Sequence, residues 1–281
     1  MLKIAIPNKG SLSESAVTML KECGYRVRRD TKELVITDVD NDIEFFYLRP
    51  RDIAVYVGSG TLHAGITGRD LLLDSQAEAI EIMPLGFASS TFRFAARPNT
   101  AADVRDLGGK RIATSYPGLV RAHLGKHDVE AEVVRLDGAV ETSITLGVAD
   151  VIADVVETGT TLRNQGLETF GAPILHSEAV LVARHDDAEL PGLRVLARRL
   201  GGVVTARTYV LVDYDVRAEL VDEACAITPG LESPTVSPLH DRGYVAVRSM
   251  VKRQGVNRVM DALYELGARG ILVTEIRACR L

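Results

Sequence analysis

The chain has 281 residues, of which 46% are apolar and 25% charged, and its formal net charge is −5. Those values suit a globular protein of roughly two domains. They argue against a dedicated binder of nucleic acid or anionic membrane, and the lack of Trp leaves little material for base stacking. Cys23, Cys225 and Cys279 lie far apart without metal-ligand spacing, as in a reducing compartment. The start, Met-Leu-Lys-Ile-Ala-Ile-Pro, has no long apolar leader. No apolar run approaches the roughly 18 residues that span a bilayer. The expectation is a cytoplasmic protein.

Strands and helices alternate along the chain, the pattern of parallel α/β layers. Leu2 to Ile6 reads as an apolar strand and Pro7-Asn8-Lys9-Gly10 as a turn. Ser11 to Glu14 has capping-box spacing. Leu12, Ala16, Leu20 and Cys23 then recur at helical intervals until Gly24 stops the helix. Leu34 to Val39 and Ile43 to Leu48 flank Asp40-Asn41-Asp42 as a β-hairpin. A short helix after Pro50 ends near Gly58, and Ala64 to Gly68 is a tight segment. Ile80 to Leu85 and Thr91 to Ala96 are strands leading out of this first block.

A second block repeats the rhythm. Lys110 to Ser115 is a strand, and Tyr116-Pro117-Gly118 turns it into a helix reaching about Lys126. Glu132 to Leu136 is a strand, Ala139 to Leu146 a helix and Val151 to Val156 a buried strand. Ala172 to Ala183 brings the chain back through another strand. Segments 60–68 and 147–155 both place a Gly before a short apolar strand with a polar end. That echo fits any pair of α/β units, and it also fits two similar lobes facing each other across a cleft. A helix from about Glu189 to Thr205 leads into the last stretch. There Tyr209 to Asp213, Arg217 to Ile227, Thr235 to Pro238, Tyr244 to Val251, Val256 to Leu266 and Ile271 to Cys279 spell β-α-β-β-α-β, the ferredoxin-like order.

The most informative segment is Asp150 to Leu162. A buried strand runs into a turn holding Thr158, Gly159, Thr160 and Thr161, with free backbone amides at a helix start. Hydroxyl and amide donors are what a phosphate monoester needs. Asp154 stands just before the turn, where a carboxylate serves sugar hydroxyls or a metal. Thr and Gly favour plain cap turns too, so the spacing fits both readings. Lys9 sits in a Gly-ended turn after the first strand, placed for an anionic ligand or for solvent. Arg49 and Arg51 flank Pro50, and Asp70 follows Gly68-Arg69 as the first-block counterpart of the Thr-Gly turn. Asp137 and Glu141, four apart, share one side of the predicted helix, as a pair for hydroxyls or Mg²⁺ or as an acidic first turn. There is no Gly-x-Ser-x-Gly elbow, Walker loop or dinucleotide fingerprint, and the six histidines lack metal spacing. The remaining pattern suits a phosphorylated sugar.

Ala5 to Gly10, Phe45 to Ile53, Gly65 to Asp70 and Asp154 to Leu162 together resemble the ATP phosphoribosyltransferase family. Ala226 to Leu239 is similar to the regulatory domain of the family's long form, and the whole chain looks actinobacterial. The resemblance implies an α/β core of two lobes with type II periplasmic-binding-protein topology, and a ferredoxin-like C-terminal domain that binds histidine as feedback inhibitor. Residues 1–90 would form lobe I, completed by about 184–207, with 91–183 as lobe II and 208–281 as the regulatory domain. It also implies a Mg²⁺-dependent reaction of ATP with 5-phosphoribosyl 1-pyrophosphate (PRPP). The products are N1-(5-phosphoribosyl)-ATP and pyrophosphate, the first step of histidine biosynthesis. The assembly would be a homodimer or homohexamer, with AMP as a further ligand and no nucleic acid or membrane partner.

By that likeness Glu157, Thr158, Gly159, Thr160, Thr161 and Leu162 cradle the 5-phosphate, and Asp154 lies near the ribose hydroxyls. Lys9, Gly10, Arg49 and Asp70 line the nucleotide side, with Tyr116 and Glu141 close by. Mg²⁺ would be held mainly by the substrate pyrophosphate. Asp215, Leu231, Ser233, Thr235 and Gly270 would hold histidine. His63 stands where an Asp is more usual in the family.

Two readings from other classes compete. A two-lobe fold also serves solute-binding or effector-sensing proteins without catalysis, but the Thr-rich turn and Lys9 favour an enzyme. A type I phosphoribosyltransferase also has acids before a Thr-Gly-Thr turn, yet Asp-Val-Val-Glu lacks that family's adjacent acidic pair. The ferredoxin-like tail by itself would also serve as a plain assembly domain.

Overall fold

The computed structural model describes residues 1–27, 33–156, 159–240 and 243–280. The chain divides into two units, Met1–Ala197 and Arg198–Leu281. The first opens with β1 (Leu2–Pro7), whose Ile4, Ala5 and Ile6 are fully buried. Such an unbroken apolar run belongs to a strand covered on both faces. Next come α1 (Gly10–Glu22), β2 (Val35–Asp38), β3 (Ile43–Leu48), α2 (Pro50–Gly58), β4 (Ala64–Gly68), α3 (Arg69–Ser75) and β5 (Ile80–Pro84). A second lobe takes β6 (Ser90–Ala96), β7 (Arg111–Thr114), α4 (Pro117–Lys126), β8 (Glu132–Arg135), α5 (Thr142–Thr145), β9 (Val151–Val156), α6 (Thr160–Asn164) and β10 (Glu168–Ser177). The chain then returns along β11 (Ala179–Ala183) and enters α7 (Pro191–Thr208).

The first sheet has the order β2-β3-β1-β4-β11-β5 and the second β10-β6-β9-β7-β8. In each, three parallel strands, β3-β1-β4 and β8-β7-β9, are flanked by one antiparallel strand arriving from the other lobe. That strand is β11 in the first sheet and β6 in the second. This reciprocal exchange is the type II periplasmic-binding-protein topology. The two echoing segments supply β4 and β9, which hold the same station in their sheets. Helices and loops cover both faces of the second sheet. Phe92, Ile112 and Val120 pack on one side, with Ala95, Ile152 and Leu162 on the other.

Three expectations change. Helix α1 starts at Gly10 with Lys9 at its cap and no side-chain cap bond, so Ser11 lies inside the first turn and is not a cap. Gly138 (φ +90°) and Ala139 (φ +47°) are left-handed, which cuts the predicted 139–146 helix down to α5. The strand predicted at 172–183 is two strands in two sheets, parted at Glu178. Lobe I is therefore re-entered at Ala179, ahead of residue 184. The five fully buried residues of β11 suit its place between β4 and β5.

The second unit carries β12 (Tyr209–Arg217), α8 (Val221–Ile227), β13 (Thr235–Pro238), β14 (Tyr244–Lys252), α9 (Val256–Leu266) and β15 (Arg269–Glu275). Its strand order is β13-β14-β12-β15, with every neighbour antiparallel, which is the ferredoxin-like arrangement. Val210, Val212, Tyr214 and Val216 alternate into the core with Ala224 and Leu263. The Tyr214 hydroxyl bonds the Thr228 hydroxyl at 2.7 Å, which satisfies a buried polar group. Among the described residues no helix is long and apolar enough to cross a membrane.

Candidate active site

Parallel strands deliver their carboxyl ends to one edge of a sheet, where α/β proteins take their ligands. Arg49 follows β3, Lys9 and Gly10 follow β1, and Asp70 follows β4. The order β3-β1-β4 therefore sets them along one edge. Lys9 and Arg49 are exposed residues at the caps of α1 and α2. In the second sheet Asp154 lies near the end of β9, Tyr116 just past β7 and Glu141 beyond β8.

The two edges meet. Asp70 is 7% exposed, and its Oδ1 accepts a hydrogen bond from the Ser177 hydroxyl at 2.8 Å. Ser177 Oγ in turn accepts from the Asp70 amide at 3.0 Å. The Tyr116 side chain of lobe II lies within the electrostatic reach of the Asp70 carboxylate of lobe I. Burial, followed by the charge of Asp70, pushes this phenol well above its ordinary range despite Arg51 nearby. Asp74 Oδ1 accepts the amides of Gly118 at 2.8 Å and Leu119 at 3.1 Å, while Oδ2 takes Arg51 Nη1 at 2.7 Å. The Arg51 guanidinium lies 4.8 Å from the Tyr116 ring centre. Two glycines permit this closeness. A Cβ at Gly118 would overlap the Asp74 carbonyl oxygen, and one at Gly68 would overlap Asp70 Oδ1. Asp74 and Ser177 give no local sequence signal, since their partners lie 44 and 107 residues away.

Beside this junction lies a cavity of about 350 Å³ whose walls include Glu141, Asp154, Gly159, Thr161 and Leu162. Five of the residues singled out from the sequence thus share one space. Thr160 Oγ1 instead accepts from Arg163 Nη2 at 3.3 Å. Glu157 and Thr158 lie outside the described residues. Gly159 is left-handed (φ +68°) at the cap of α6, which has only five residues, so hydroxyls and amides carry more weight here than a helix dipole. Asp154 is pushed above the usual carboxylate range. Burial is the largest cause, the Val155 amide (2.8 Å) works against it, and the charges of Glu141 and Asp70 add to it.

The expected Asp137–Glu141 pair does not share a helix face. Left-handed Gly138 and Ala139 separate the two, and Asp137 faces Arg135 at 3.7 Å. Among the described residues no three His, Cys, Asp or Glu groups converge as a metal cage. The carboxylates of Asp154 and Glu141 remain as a pair.

In the second unit Asp215 of β12 sits beside Gly270, whose φ is +60°. A Cβ there would lie 3.3 Å from Asp215 Oδ2. Thr235 is in another row of the sheet, level with Arg248 and Asp213, which are ion-paired at 2.7 Å. Ser237, which the sequence did not single out, is the residue level with Ala246 and Asp215. Leu231 and Ser233 are exposed on the segment before β13. Gly230 (φ +76°) turns this segment against Ser249.

Residues 49–202 match the family model described as ATP phosphoribosyltransferase, and residues 206–278 match that of the HisG C-terminal domain. Curated ATP phosphoribosyltransferases of Arthrobacter sp. (strain FB24) and Streptomyces coelicolor are 63% and 62% identical, over all of this chain and all of theirs. A solved ATP phosphoribosyl transferase (HisG:HisZ) complex from Thermotoga maritima is 28% identical with a TM-score of 0.63. The match covers 73% of this chain and 98% of that one.

Proposed function

The chain belongs to the ATP phosphoribosyltransferase family, and from it we propose how the cleft between the two N-terminal lobes joins ATP to PRPP. The enzyme is a pentosyltransferase of histidine biosynthesis that forms N1-(5-phosphoribosyl)-ATP and pyrophosphate. The observation carrying the site assignment is the common cavity of Asp154, Glu141, Gly159 and Thr161, beside the interlobe Asp70–Tyr116 contact.

Adenine N1 is an unprotonated nucleophile at neutral pH, so the reaction needs neither a strong base nor a covalent intermediate. The protein must hold two polyanions in line and stabilise charge as pyrophosphate leaves a cationic ribose carbon. Gly159, Thr160 and Thr161 present amides and hydroxyls to the 5-phosphate. Asp154 accepts hydrogen bonds from the ribose hydroxyls, with Glu141 alongside. Lys9 and Arg49 offset phosphate charge on the nucleotide side, and Gly10 keeps the backbone open there. Asp70 and Tyr116 join the lobes over the substrates.

The donor set fits Mg²⁺, which commonly takes one or two carboxylates and completes its shell with substrate phosphates and water. The substrate pyrophosphate would hold most of its shell, with Glu141 and Asp154 as the protein carboxylates at hand. When bound, such an ion neutralises charge developing on the leaving pyrophosphate. Release of pyrophosphate from ATP, PRPP and Mg²⁺ is the test, and a folded protein that releases none overturns the reading.

The second unit binds histidine as inhibitor, with the Asp215 carboxylate taking the ligand's ammonium group. Leu231, Ser233, Thr235 and Gly270 form the rest of that site. The same reading gives a cytoplasmic homodimer or homohexamer with AMP as a further ligand of the nucleotide side. Adding histidine to the pyrophosphate assay tests the inhibitory part.

A further inference from the structure

We propose that Arg93 of β6 is a further substrate-binding residue, holding the phosphate monoester of the ribosyl substrate. The proposal rests on the function described above. Arg93 lies directly opposite Asp154 in the antiparallel β6–β9 pair, and opposed residues project to the same face. Its neighbour two residues on, Ala95, packs on that face with Leu162 of α6. A second cavity, of about 480 Å³, opens there, with Thr91, Arg93, Gly159, Arg163, Glu168 and Thr169 among its walls. Val156, Gly159 and Leu162 border both this cavity and the one containing Asp154, so the two adjoin at the turn.

Arg93 is short of partners. Nη2 donates to the Gly171 carbonyl at 2.8 Å, while Nε is buried with no acceptor. Among the described residues no carboxylate forms an ion pair with Arg93. Among the described cavity walls the acid is Glu168, which is exposed on β10. Burying a guanidinium N–H without an acceptor is costly, so such a group is retained where an acceptor arrives later. Phosphate oxygens match the fork of N–H donors, and Thr91, Thr169 and the backbone at Gly159 add neutral donors beside it. The competing role is structural, since the bond to Gly171 ties β6 to the irregular part of β10. A strut affects stability alone, whereas a phosphate ligand affects one substrate.

The test is steady-state kinetics of Arg93→Gln and Arg93→Lys in the full chain, with ATP and PRPP varied separately and melting followed in parallel. Ribose 5-phosphate and inorganic pyrophosphate serve as competing probes. Loss of a charge-assisted contact should raise KM for PRPP and the Ki of ribose 5-phosphate about ten-fold or more in Arg93→Gln. KM for ATP should stay within about two-fold, and Arg93→Lys should recover part of the loss. Unchanged PRPP and ribose 5-phosphate constants overturn the proposal, as does weakening confined to pyrophosphate or shared equally by ATP. If the Gln variant fails to fold, Arg93→Lys decides, and wild-type constants there overturn the proposal too. Pyrophosphate release by the wild-type enzyme tests the underlying function separately from these outcomes.

Discussion

Asp74 of α3, in lobe I, accepts the backbone amide of Gly118 at the start of α4, in lobe II, at 2.8 Å. The same carboxylate holds Leu119 N and Arg51, and its side chain is only 9% exposed. Charge-assisted bonds in such a place are worth more than neutral surface ones. Asp74→Ala should therefore lower unfolding free energy by about 2–3 kcal/mol and reduce kcat/KM for both substrates, because the lobes lose their clasp. Gly118→Ala attacks the same contact from the other side by driving a Cβ into the Asp74 carbonyl. Urea unfolding and initial rates measure both. Wild-type stability and rates in the two variants would refute the clasp.

Ser177 gives Asp70 a hydroxyl donor on one side and takes its amide on the other. With Ser177→Ala the buried carboxylate loses that donor, and its contact with Tyr116 loosens. KM for ATP should rise several-fold while the fold persists. If Ser177 acts through Asp70, the double variant with Asp70→Asn should lose no more than Asp70→Asn alone. Fully additive losses would show an independent role.

Much of this architecture is legible in the amino-acid sequence. The largely apolar stretches at residues 2–6, 43–48 and 151–156 locate strands of the parallel part of each sheet. Carboxyl ends of parallel strands then collect Lys9, Arg49, Asp70 and Asp154. What is not legible depends on distance or on rare backbone states. Nothing local to Ser177 or Asp74 announces partners in another segment. The 172–183 stretch has strand character throughout, so its division between two sheets is decided by pairing partners alone. Left-handed Ala139 is a conformation alanine seldom adopts, and it takes Asp137 away from Glu141.

Asp154, proposed to hold the ribose hydroxyls, carries a stability cost. Burial raises its pKa in the folded protein, so the folded state holds this proton more tightly than the unfolded chain. Its favourable contribution is full below the unfolded pKa and is lost as pH rises through the raised folded value. Asp154→Asn should thus unfold at higher urea than wild type near pH 7.5, with the gap closing towards acid pH. Turnover should fall about 100-fold, since the amide is a poorer acceptor for ribose hydroxyls. The wild-type kcat/KM should also decline on the acid side at a pH above the ordinary carboxylate range. A less stable, fully active Asn variant contradicts both halves of the argument.

Gly270 and Asp215 give the regulatory proposal its sharpest check. The backbone at Gly270 is left-handed, and a Cβ would press on Asp215 Oδ2. Gly270→Ala should cost about 1 kcal/mol in backbone strain and also tilt the carboxylate proposed to take the histidine ammonium. Asp215→Ala removes that carboxylate and leaves every residue of the proposed catalytic site unchanged. Initial rates of pyrophosphate release, measured against rising histidine, should show wild-type basal turnover in both variants. Inhibition should be lost in Asp215→Ala and shifted to higher histidine in Gly270→Ala. Unaltered inhibition in Asp215→Ala would place the histidine site elsewhere, because a site anchored on that carboxylate cannot survive its removal.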